Sequence, residues 1–201
     1  MHMRSDILWQ VYYITMEQTE YLLNFEERLK QELVNLCTSY NMLNGQLLET
    51  EDISNRWKEF APEYIADARK EIKDYPTVSI AWAGFLGAAL AYLWDSEPNR
   101  FNTCKYTSFY GSQGFDDMDE YIMYNILQLT PESQEAKQLE NMMRRCGEKT
   151  VGMIRHEQIE PQSPMAFHVY ARATKVMFQI GAAMELKCLG YKLEAVNIPQ
   201  C

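Results

Sequence analysis

The chain has 201 residues, with 19 basic and 28 acidic side chains and a net charge of −9. That length suits one domain, and a compact chain of this mass exposes about 9,800 Å², so its core needs neither a disulfide nor a metal. With 47% hydrophobic and 23% charged residues it is not a disordered chain. The acidic balance argues against a nucleic-acid partner, because backbone binding needs clustered Lys and Arg.

Five cysteines stand far apart, without a C-x-x-C pair. Cys37, Cys146 and Cys188 fall on apolar helix faces and are expected as reduced core residues, with Cys104 and Cys201 exposed. Residues 1–10 carry no apolar run of the signal-peptide kind. A cytoplasmic, water-soluble protein is the expectation.

Proline and glycine divide the chain into helical stretches. The first begins at Ser5 or Asp6 and carries Leu22, Phe25, Leu29, Leu33, Leu36, Tyr40 and Leu43 at steps of three and four, up to a stop at Asn44-Gly45. A rod of about 57 Å results, long enough to serve as a bundle spine or a coiled-coil partner. Its stripe, traced back through Val11 and Ile14, meets a polar interruption at Gln18, beside Tyr12, Tyr13 and Tyr21. The second stretch, Ile53, Trp57, Phe60, Tyr64, Ala68, Ile72 and Tyr75, keeps phase across Pro62 and predicts one kinked helix ended by Pro76. Val78 to Trp94 is apolar on every side. Its small residues (Ala83, Gly84, Gly87, Ala88, Ala91) fit the central helix of a bundle; a membrane span is the alternative.

Residues 96–114 show no period and many turn formers, so they read as an irregular loop whose aromatic residues must pack somewhere. Arg100, Phe101, Tyr106, Phe109 and Tyr110 are its pocket candidates. A helix follows with Phe115, Met118, Ile122, Ile126 and Leu129 on one face. Thr130-Pro131-Glu132 predicts a new helix start, with Ala136, Leu139, Met143, Cys146, Thr150 and Met153 inward. Ser163-Pro164 starts the last helix, with Phe167, Ala171, Thr174, Met177, Gly181, Met184 and Cys188 buried and His168, Arg172, Lys175 and Gln179 as the polar stripe opposite. Gly190 stops it. Gly87-Ala88-Ala89-Leu90 and Gly181-Ala182-Ala183-Met184 resemble each other as helix-packing chemistry, not as a duplication. The expected fold is all-α: one helical-bundle domain over residues 1–201, about six helices, with a long first helix and an all-apolar central one.

The sharpest chemical cluster is Asp116, Asp117, Asp119 and Glu120. On a helix, Asp116, Asp119 and Glu120 adjoin on one face, which suits Mg²⁺ held by carboxylates and substrate phosphates. At Asp116, Asp117 and Glu120 the segment resembles the DDxxE element of class I terpenoid synthases, without a second metal motif. A carboxylate-rich helix start explains the same residues without a ligand. His156 and His168, with Glu157 and Glu160 nearby, are a weaker metal candidate that lacks any Glu-x-x-His or His-Glu-x-x-His pattern. Gly111-Ser112-Gln113-Gly114 reads as a hinge. The leading expectation is a non-enzymatic protein-interaction or ligand-binding module without a cofactor, self-associating through its first helix. The alternative is a Mg²⁺-dependent enzyme on a phosphorylated substrate, using 116–120 under the 96–114 loop.

Overall fold

The computed structural model describes residues 3–71 and 76–193, with side chains from 17–69 and 76–193. Seven α-helices and no strand occur among them: α1 (Met3–Ser39), α2 (Glu51–Glu71), α3 (Pro76–Ser96), α4 (Pro98–Thr103), α5 (Met118–Tyr121), α6 (Gln134–His156) and α7 (Pro164–Cys188). α1, α3 and α7 run one way and α2 and α6 the other. The paired contacts that set this are Glu26–Arg172 with Asn41–Lys187, Ser79–Tyr170 with Trp94–Tyr191, Tyr64–Ser79 with Asp52–Trp94, and Glu32–Lys149 with Tyr40–Arg145. One cluster of buried apolar residues extends from Leu22 to Leu186.

α3 is the axis. Fourteen of its residues are buried, Ser79 to Ala91 and Leu93, because α2, α6, α7 and the 98–126 segment surround it. By length and composition it could cross a membrane, yet 78% of its apolar window is buried inside the molecule, with Val78 left exposed. Its partner across the axis is α7, and the two backbones nearly touch. A Cβ at Gly181 would lie 1.8 Å from the Gly84 carbonyl oxygen, and one at Gly87 would lie 2.0 Å from that of Phe178. The two Gly-Ala-Ala segments are thus the halves of one close helix crossing.

Helix ends follow local chemistry. α1 stops at Ser39, before the expected Asn44-Gly45, because Asn41 takes the left-handed conformation (φ 58°) and the Met42 N–H returns to the Cys37 carbonyl at 2.8 Å. Pro62 lies inside an unbroken α2. Ile53, Trp57, Phe60, Tyr64 and Ala68 are buried as expected, while Ile72 and Tyr75 lie outside the described residues. Pro76 opens α3. α6 starts at Gln134 and not at Thr130: Glu132 sits at φ 64°, which no helix admits, and Ser133 caps by accepting from the Ala136 N–H at 3.1 Å. Ser163 caps α7 in the same way, with Pro164 next. Gly190, at φ 93°, ends it.

The 96–114 segment is mostly ordered into short helices. α4 packs against α3, and a 3₁₀ turn at Tyr106–Phe109 packs against α2. A 3₁₀ turn at Phe115–Asp117, α5 and a π-turn at Ile122–Ile126 then climb along α3. The expected regular helix is therefore broken, although Met118, Ile122 and Ile126 are buried as its periodicity required.

α1 and α7 are parallel, at a sequence offset of 146–149. At that offset Pro164 lies level with residues 15–18 of α1, and α6 ends beside Tyr21, whose hydroxyl donates to Glu157 at 2.6 Å. The first turns of α1 therefore run past the ends of both neighbours.

Candidate functional site

The acidic cluster does not converge. Asp117 closes the turn before it, accepting from the Ser112 hydroxyl at 3.0 Å and the Gln113 N–H at 2.9 Å. Those donors, Gln113 first, hold its carboxyl below the usual range against a smaller opposing effect of burial. Gly111 and Gly114 exchange backbone hydrogen bonds at 3.1 and 3.2 Å. A Cβ on Gly111 would lie 2.4 Å from the Asp117 carboxyl carbon, so the segment is a clasped turn and not a hinge. Asp119 turns inward, where burial raises its carboxyl against a smaller opposing effect of the nearby Trp82 indole. Asp116 and Glu120 face solvent. The expected common face is lost because a 3₁₀ turn, not an α-helix, carries 115–117.

The loop candidates also have other work. Phe101, Tyr106 and Phe109 are buried. Tyr106 meets Tyr64 and Tyr110 edge-on, and Phe109 meets Phe60 edge-on. Tyr110 donates to Asp67, and burial followed by that bond raises its hydroxyl to about 12. Arg100 pairs with Glu97 at 3.4 Å on the surface. Phe101, Tyr106, Phe109 and Tyr110 strap the segment onto α2. His156 and His168 are both exposed, and Glu157 turns to Tyr21 and to Arg28 at 2.8 Å. Among the described residues no three His, Cys, Asp or Glu side chains gather where a metal ion would sit.

The polar stripe of α7 faces α1. Arg172 and Lys175 hold Glu26 at 2.6 and 2.5 Å, and Gln179 donates to Glu49 at 2.5 Å. Glu26 is 6% exposed. Burial works to raise its pKa, but Lys175 and Arg172 more than offset that and hold it below the usual range. Conversely, Phe167, expected inside, is 45% exposed. Cys188 is exposed as well, whereas Cys37 and Cys146 are fully buried with sulfurs 3.5 Å apart. The neighbouring Cys37 thiol, then burial, push the Cys146 thiol well up, so Cys146 packs as a neutral thiol.

A cleft of about 410 Å³ opens at the end of the bundle where α1 and α7 finish and α6 begins. Its walls are Met42 after α1, Leu127 and Leu129 after the π-turn, Leu139 on α6 and Met184 on α7. The π-turn shapes one wall: Leu127 N–H returns to Ile122 and Leu129 N–H to Met123, each at 2.9 Å, with Gln128 left-handed between them (φ 56°). Glu185 enters this apolar wall from the last turn of α7. Burial, then the nearby Asp95 carboxylate, push its carboxyl up to about 7. Asp95 itself accepts from the Tyr191 hydroxyl at 2.8 Å. The one cation lining the cleft, Lys187, donates to the Asn41 carbonyl. A smaller depression of about 210 Å³, lined by Leu43, Leu48, Tyr191 and Leu193, adjoins it across Lys187.

The cleft is within the size of small-molecule sites, which are typically about 300–1,000 Å³ and mostly apolar with a few polar groups. A carboxyl poised near neutrality can donate a hydrogen bond when protonated or hold a cation when charged. Sequence reasoning missed Glu185, although a signal was present: it lies three or four positions from Gly181, Ala182 and Cys188, on the face already assigned as buried. Compared with protein-family models, curated proteins and solved structures, the chain matches none.

Proposed function

We propose that this chain is a non-enzymatic binding module whose ligand occupies the cleft between the α1 and α7 C-termini and the start of α6. The observation that carries this reading is the Glu185 carboxyl set in a cleft of Leu and Met side chains. A structural carboxylate on a buried face is normally paired, as Glu26 is; Glu185 has Asp95 beside it instead. The direct test is methyl NMR of the full chain titrated with 1-octanol. Shifts confined to Met42, Leu127, Leu129, Leu139 and Met184, and lost in Leu139→Arg, are the expected result. Uniform or absent shifts at millimolar probe overturn it.

A second reading, self-association through α1, draws on the overhang of its first turns. Ile7, Leu8, Trp9, Val11 and Ile14 give that stretch more apolar sequence than a solvated helix carries. Leu23, farther along, is 53% exposed.

A further inference from the structure

We infer that the cleft selects an organic cation with an apolar body, an alkylammonium-type ligand whose head pairs with the Glu185 carboxylate. This rests on the ligand-binding reading above and names the class of ligand.

Charge complementarity points there from independent features. The groups around Glu185 are Asp95 from α3, Glu135 from α6, and Lys187 and Cys188 from its own helix. The 41–42 and 127–129 walls bring no charge. Lys187 also lines the cleft, two positions along the helix from Glu185, but its ammonium is held by the Asn41 carbonyl. The fixed dipoles add to this. α1 and α7 both end at the cleft and present their negative ends to it. The opposing positive end, that of α6, is already met by the Ser133 cap and by Glu135 in its first turn. A neutral ligand would fill the Leu and Met walls but leave the carboxylate without a partner. An anion would meet Glu185 and Asp95 together. An ammonium group supplies the missing charge, and its alkyl chain covers the walls.

The experiment uses the full chain and three probes that share one alkyl chain: n-octylammonium, 1-octanol and octanoate, titrated by calorimetry at pH 8 and pH 6. At pH 8 octylammonium is expected to bind about tenfold tighter than octanol, with octanoate weakest. Glu185→Gln should bring octylammonium down to the octanol affinity and leave octanol unchanged. The advantage of the ammonium should shrink at pH 6, where Glu185 takes up a proton. Equal affinities for octylammonium and octanol, or a cation preference that survives Glu185→Gln and so reflects only the net charge of −9, overturn the ligand class while the cleft stands as a site. No binding of any probe overturns the cleft itself.

Discussion

Glu185 and Glu26 are both carboxylates on otherwise apolar helix faces, and their surroundings move them in opposite directions. Glu185 is raised from 4.5 to about 7 by burial and by Asp95. Between those values the folded chain keeps a proton that the unfolded chain has released. Stability therefore falls as pH rises through that window, by about 3 kcal/mol in all. Glu185→Gln should match the native chain near pH 4.5 and exceed it by about 3 kcal/mol at pH 8, as read by urea denaturation at each pH. Glu26 behaves in the reverse sense. Its pairing with Lys175 and Arg172 keeps it charged, so the stability it contributes is present above the usual carboxylate range and is lost as pH falls through it. Glu26→Gln should cost about 1–3 kcal/mol at pH 7, a loss that shrinks below pH 4.5. A native-like Glu26→Gln at pH 7 would mean that its two half-exposed partners stabilise nothing there.

Helix contacts in this molecule depend on how closely backbones approach. The α3–α7 crossing has no room for a methyl group at Gly181, because the atom it would meet is a backbone oxygen that cannot rotate away. Gly181→Ala should cost about 3 kcal/mol or more. Gly152, within α6, supplies the contrast, since a Cβ there meets nothing within 4 Å. Gly152→Ala should stabilise by about 0.5–1 kcal/mol through helix propensity and a less free unfolded chain. Paired thermal melts of the two variants decide the point, and similar shifts in both would contradict the close crossing. Much of this was legible beforehand. A stretch rich in Gly and Ala and apolar on every side has to be enclosed, and the two Gly-Ala-Ala segments mark the same chemistry. Which of them would meet was not legible, because the residues concerned lie more than ninety positions apart.

At the level of the whole molecule, the unequal helix lengths matter most. α1 has 37 residues against 23 in α6 and 25 in α7, so its first turns have no counterpart in those two. If that stretch joins two copies, the native chain should sediment as a dimer or larger species, and Val11→Glu/Ile14→Glu should sediment as a monomer. A native monomer at high concentration would sink the self-association reading. Leu29→Glu is no test of it, because Leu29 is fully buried and its replacement would unfold the bundle; Leu23→Glu leaves the core intact.

Periodicity and punctuation determined a good deal by themselves. The all-α class, the enclosed helix at 76–96, the passage of α2 through Pro62 and the Ser163-Pro164 start are local consequences of side-chain spacing and backbone preference. Tertiary structure alone decided which polar groups would be solvated, paired or stranded. It dispersed Asp116, Asp117, Asp119 and Glu120, turned Tyr106 and Phe109 into core, drew Arg172 and Lys175 onto Glu26, and left Glu185 in an apolar cleft. The reason is physical: helix formation answers to neighbours three and four residues away, whereas desolvation and charge pairing answer to whatever distant segment the fold brings alongside.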